Sequence, residues 1–285
     1  MSELSKKLLR EQLENKIIPN LRLDETDELC VAFDENIKIL SKLPKNVIDS
    51  FKIKNTLNTK IWSDDKLIPE IKTKLQEIAD EFYKTLELPS NIKIKDIIFT
   101  GSLANFNWSE FSDVDLHLVL DFEEINDDLD FTQNYFMAQK NLWNETHNIT
   151  INDYPVELYV QDVDDELEAT AIYSIKKDKW LLKPEKESFK LDVKNLKLKA
   201  EKIMYQIRDI RDKFKAKDYQ YVIDKSTALK DKIKKMRKSG LEKGGEFSME
   251  NLVFKALRRT DFMEIIANFK NQATDMLLSL NESNP

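Results

Sequence analysis

The spacing of hydrophobic positions changes several times along this chain. Leu4, Leu8, Leu9, Leu13 and Ile17 fall near helical spacing, and Phe33, Ile37, Leu40 and Leu43 resume it. Residues 1–43 therefore read as helix, punctuated by Pro19 and Pro44. Over 64–86, Leu67, Ile71, Leu75, Ile78 and Phe82 recur at steps of three and four. Ser63-Asp64 offers an N-cap there, and Pro89 lies beyond the end. The period then shortens. Ile97-Ile98-Phe99-Thr100 is an apolar run stopped by Gly101, the pattern of a buried strand. From Asp113 to Phe122, Val114, Leu116, Leu118 and Leu120 share one face, while Asp113, Asp115, His117 and Val119 share the other.

Residues 130–146 return to a helical pattern. Ile149 and Ile151, the turn Asn152-Asp153, then Val156, Leu158 and Val160 read as a hairpin. Ala171–Ile175 and Trp180–Leu182 predict a second hairpin across Lys177-Asp178. From about 190 the chain reads as helix to its end. One stripe holds Leu196, Ala200, Ile203, Ile207, Ile210 and Phe214; a second holds Val222, Ser226, Leu229, Ile233 and Met236. Such stripes pack two helices antiparallel. Ser239-Gly240 and Gly244-Gly245 are expected to break the pattern before a last helix from about Ser248, with Leu252, Ala256, Ile265, Ile266 and Phe269 as core candidates and a frayed tail at 281–285.

Composition narrows the chemistry. One cysteine, Cys30, sits in an apolar stretch and reads as a buried thiol; alone it excludes an internal disulfide and a multi-cysteine zinc cluster. Two histidines make a His-rich metal site improbable. No apolar run reaches the length of a membrane span, and the first residues lack a secretory core, so a soluble intracellular protein is expected. The net charge of −7 hides an asymmetry: residues 1–175 hold 35 acidic against 18 basic side chains, and 176–243 hold 23 basic against 11 acidic. A basic stretch beside an acidic one can attract phosphates, although a solvated lysine-rich helical surface explains the same charge.

The most informative stretch runs from Gly101-Ser102 to Ser112-Asp113-Val114-Asp115-Leu116. A strand ends at a Gly-Ser pair, and two aspartates at i and i+2 follow on another strand. That spacing puts both carboxylates on one face, about 7 Å apart along the strand. Such a pair can bridge divalent cations. Gly101 lets backbone approach phosphate oxygens, and Ser102 offers a hydroxyl and an N–H. Glu157, in Pro155-Val156-Glu157-Leu158-Tyr159-Val160, shares a face with Tyr159 and Gln161. If its strand lies beside that of Asp113 and Asp115, three carboxylates converge and repel one another unless cations lie between them. Otherwise Glu157 is an exposed edge residue. His117 reads as a partly buried polar neighbour of this face. There is no Walker-type Gly-Lys loop, no Rossmann glycine fingerprint and no His-Glu-x-x-His.

Gly101-Ser102, Ser112–Leu116 and Glu157 together resemble the DNA polymerase beta-like nucleotidyltransferase superfamily. With Leu57–Trp62, Val156–Asp162, Tyr173-Ser174, Trp180–Pro184 and Gly245–Asn251, the chain looks like the nucleotidyltransferases predicted in tailed bacteriophages. The resemblance implies an α+β fold: a small mixed sheet with flanking helices, then a C-terminal helical domain. The divisions would be a mainly helical extension (1–63), the nucleotidyltransferase core (64–185) and the helical domain (186–285). It implies that Asp113, Asp115 and Glu157 are catalytic and hold two Mg²⁺ or Mn²⁺ ions. Gly101, Ser102 and Ser112, with Tyr173 and Ser174, would contact the nucleotide; for Tyr173 a ring packed in the core is the competing reading. The expected partners are an NTP such as ATP and an acceptor hydroxyl, RNA among the candidates, with no membrane. The expected location is the cytoplasm, the host's if the chain is phage-encoded. Where small members carry a Gly-rich segment this chain has Asn105-Phe106-Asn107-Trp108, aromatics that either stack a base or anchor the core. The alternative is a non-catalytic module of the same fold: antitoxin-like, a scaffold or a virion component.

Overall fold

The computed structural model describes residues 43–279 except 168 and 187. The helical reading of 1–42, the environment of Cys30 and the tail from 280 lie outside the described residues. The chain divides into two compact units, one spanning Pro44–Val193 and the other holding the residues from Lys194 onward.

The first unit is a six-stranded mixed sheet with helices. Its strands are β3 (Asp96–Thr100), β4 (Val114–Leu120), β5 (Thr150–Ile151), β6 (Tyr154–Asp162), β7 (Ile172–Ser174) and β8 (Lys179–Leu182), in the order β5-β6-β4-β3-β7-β8. A two-stranded ribbon, β1 (Trp62–Ser63) with β2 (Lys66–Leu67), precedes them, after a short helix α1 (Lys45–Asp49). Among the described residues only β4 and β6 pair in parallel. Parallel neighbours need a crossover, and α3 (Leu129–Thr146) provides it. Asp128 caps α3 by accepting from Phe131 N.

The predicted alternation holds in β4: Val114, Leu116, Leu118 and Leu120 are fully buried. With Phe99 and Leu158 they join one hydrophobic cluster with Ile71, Leu75, Ala79 and Phe82 of α2 (Pro69–Thr85) and Phe136 and Trp143 of α3. Helix α2 starts later than its apolar spacing suggests. Asp64 takes a left-handed turn (φ 54°) between β1 and β2, so Ser63-Asp64 makes a hairpin and not an N-cap. Pro69 opens the helix, where its missing N–H costs nothing. The sheet unit also begins before residue 64. Ile61 and Trp62 are buried, and Trp62 stacks on Phe99 and Trp180 while donating Nε1–H to Leu103 O at 2.7 Å.

The second unit is helical: α4 (Val193–Met204), α5 (Ile207–Lys215), α6 (Tyr219–Gly244), α7 (Met249–Arg258) and α8 (Phe262–Leu278). The first predicted stripe is split at Tyr205-Gln206, yet Leu196, Ala200, Ile203, Ile207, Ile210 and Phe214 are all buried. Ser239-Gly240 does not end α6. Gly240 is buried inside the helix, where a Cβ would lie 2.6 Å from Glu250 Cβ and 2.8 Å from Ser248 Oγ. The glycine is there for close packing, and α6 stops only at Gly245 (φ 64°). A helix starts at Ser248 as expected, with Ser248 capping α7, but the final helix is two: Asp261, in the left-handed region, separates α7 from α8.

Candidate functional site

Strand β4 lies between β3 and β6, and its register decides which side chains meet. Asp115 is opposite Thr100 on β3 and Glu157 on β6; His117 is opposite Tyr159, and Val119 is opposite Gln161. Residues opposite one another project from the same face. The face away from the hydrophobic cluster therefore gathers Asp115, His117, Glu157, Tyr159 and Gln161. Asp113 sits just before β4, and ligand oxygens of Asp113, Asp115 and Glu157 lie within 4.8 Å of one another. All three residues are partly buried.

Gly101 closes the other side. It has φ 78°, and a Cβ there would fall 1.8 Å from Asp115 Oδ2. The Asp115 carboxylate thus rests against the glycine backbone at the end of β3. A single 3-10 turn, Ser102–Ala104, follows. Ser102 Oγ donates to Ser112 Oγ at 2.7 Å, and Ser109 N donates to the same oxygen at 3.0 Å. Ser112 is buried with its hydroxyl engaged inside the loop. It ties together the loop that leads into Asp113.

Tyr173 and Ser174 are not brought to this site. Tyr173 pairs with Phe99 and so points to the core face. It is fully buried, packs edge-on to Trp62 and Trp180, and donates its phenol to Asp178 Oδ1 at 2.7 Å. Ser174 is also fully buried, donating to Asp96 Oδ1 at 2.7 Å. Neither side chain is exposed, and the Tyr173 ring is packed in the core. Phe106 and Trp108 are partly buried against the core cluster, and Trp108 donates Nε1–H to Thr56 O at 2.9 Å.

Around the carboxylates the polar face is connected. Tyr159 donates its phenol to Glu157 Oε2 at 2.6 Å. Burial first, then this hydrogen bond and the charges of Glu157, Asp115 and Asp113, push the Tyr159 phenol up, so it stays protonated and a donor. The His117 ring stacks on Tyr159 with centroids 4.7 Å apart. Gln161 gives its amide N–H to Asp165 O at 3.3 Å, which turns Oε1 toward His117 Nδ1 at 3.1 Å. Burial pulls His117 down to about 4, so it is neutral near pH 7.

Helix α3 supports the same strand. Asn144 accepts from Leu158 N and donates to Leu158 O, both at 3.1 Å, standing where another strand would pair with β6. One turn earlier, Lys140 Nζ lies 4.0 Å from the Tyr159 ring centroid. Sequence spacing placed Tyr159 beside Glu157 without giving it a partner. Lys140 and Asn144 had no local signal, because their targets lie on a different element.

Three carboxylates this close repel one another by roughly 3 kcal/mol per ionised pair at an effective dielectric of ~20. A hard divalent cation relieves that repulsion, and an all-oxygen donor set suits Mg²⁺ or Mn²⁺ over softer metals. The residues present fit such an ion. Among the described residues no helix is long and apolar enough to cross a membrane. Comparison with family models, with curated proteins and with solved structures found no match for this chain.

Proposed function

We propose that this protein is a metal-dependent nucleotidyltransferase that moves an NMP from an NTP to an acceptor hydroxyl and releases pyrophosphate. The observation that carries the reading is the convergence of Asp113, Asp115 and Glu157 within 4.8 Å, with Asp115 set against Gly101. Asp113 and Asp115 would hold two Mg²⁺ or Mn²⁺ ions, with Glu157 as the third carboxylate. Bound there, the cations supply charge neutralisation at the α-phosphate and the leaving pyrophosphate.

This chain's own residues have distinct tasks in that scheme. Gly101 allows close backbone approach to phosphate oxygens, and Ser102 adds an N–H and a hydroxyl. Glu157 is the carboxylate that accepts the proton of the attacking hydroxyl. The new bond joins acceptor oxygen to the α-phosphorus; the bond to the bridging oxygen breaks, and pyrophosphate leaves. RNA is one candidate acceptor, since a basic stretch such as 176–243 can attract phosphates.

Crystals soaked with a non-hydrolysable NTP analogue and Mn²⁺ test this reading. Anomalous density among the three carboxylates, beside the triphosphate, supports it. Ordered nucleotide or metal found only elsewhere removes it.

A further inference from the structure

We infer that Tyr159 is a positioning residue for Glu157, setting the orientation in which the third carboxylate meets a divalent cation. This rests on the metal centre proposed above and adds to it a residue acting through Glu157. The side chain of Glu157 has three rotatable bonds. Its Oε2 accepts from the Tyr159 phenol at 2.6 Å. The phenol is itself fixed. Tyr159 is aligned with His117 by strand register, and their rings stack at 4.7 Å with planes 19° apart. His117 is held by Gln161, and Gln161 by the Asp165 carbonyl. Lys140 sets its ammonium 4.0 Å from the Tyr159 ring centroid, a cation–π contact supplied by α3.

The order of contacts runs from the Asp165 backbone through Gln161, His117 and Tyr159 to Glu157. Gln161, His117, Tyr159 and Glu157 lie on one face of adjacent strands. Outer hydrogen-bond partners of metal-holding groups typically tune affinity by about 10–100-fold.

The test is Mn²⁺ binding to the full chain, followed by electron paramagnetic resonance of free Mn²⁺ without nucleotide. The variants are Tyr159→Phe, which keeps the ring and its stacking, and Asp113→Asn/Asp115→Asn. Wild-type binding should be abolished in the double aspartate variant and weakened roughly tenfold in Tyr159→Phe. Thermal melting should show Tyr159→Phe as folded as the wild type. Binding by Tyr159→Phe at wild-type affinity, with the aspartate variant dead, overturns the role of Tyr159 and leaves the metal centre standing. Wild-type protein that takes up no Mn²⁺ overturns both.

Discussion

Asp115 Oδ2 occupies the space that a Cβ on Gly101 would need, at a separation of 1.8 Å. Two residues fourteen positions apart are thereby locked into one design. The Asp115 carboxylate can sit against the backbone just after β3 only because the residue there has no side chain. Gly101 also has φ 78°, a conformation that L side chains rarely adopt.

Gly101→Ala should therefore be damaging twice, through strain and through displacement of a carboxylate. Chemical denaturation should show a loss of about 1–3 kcal/mol. Mn²⁺ affinity should fall as well, because Asp115 must swing away. An alanine variant with wild-type stability and metal affinity would mean that the close contact is not needed.

Metal should stabilise the folded chain through the three carboxylates. At about 100-fold excess over its dissociation constant, a ligand that binds only the folded state adds about 2.7 kcal/mol. Differential scanning fluorimetry should show the sheet unit melting higher with Mn²⁺ in the wild type. In Asp113→Asn/Asp115→Asn that gain should vanish. A wild-type Tm indifferent to Mn²⁺ contradicts this.

Asn144→Ala should destabilise the sheet far more than a typical exposed helix substitution. It strips both the N–H and the C=O of Leu158 of side-chain partners, at a fully buried residue. The expected cost is about 2–4 kcal/mol. Amide exchange at Leu158 should quicken in step; unchanged protection there would show that β6 does not depend on α3.

Acid stability should depend on Tyr173. Its phenol first, and then Lys72, holds the Asp178 carboxyl below the ordinary carboxylate value. A folded pKa below the unfolded one gives stability that is present above the unfolded value of 3.8 and is lost as pH falls through the folded one. In Tyr173→Phe, NMR titration should find the Asp178 pKa nearer 3.8, and the fall in stability below that pH should shrink. An unshifted Asp178 would refute the assignment.

The candidate site was largely legible because its spacing is a strand property. Asp113 and Asp115 at i and i+2, with apolar residues between and after them, fix a face without any knowledge of the fold. The proximity of Glu157 depended on the parallel pairing of β4 and β6, which sequence could pose only as a condition. Tyr173 and Ser174 show the limit. Whether an aromatic on a short strand faces core or ligand is set by register against β3, and one residue of shift reverses it. Gly240 shows another: glycine reads as a breaker, but here contact with Glu250 and Ser248 outweighs its poor helix propensity. The α2 boundary was misread because a hairpin turn and a helix cap use the same Ser-Asp residues.

The most direct measurement is transfer of label from each α-³²P NTP, with Mg²⁺ or Mn²⁺, to a mixture of RNA, protein and small metabolites. Wild-type protein and the Asp113→Ala/Asp115→Ala variant run side by side. A nucleotidyltransferase gives label in an acceptor with the wild type alone, together with release of unlabelled pyrophosphate, and the labelled fraction identifies the acceptor class. No transfer from any nucleotide with either metal, or equal transfer by the double variant, would contradict a nucleotidyltransferase and leave a non-catalytic binding module in its place.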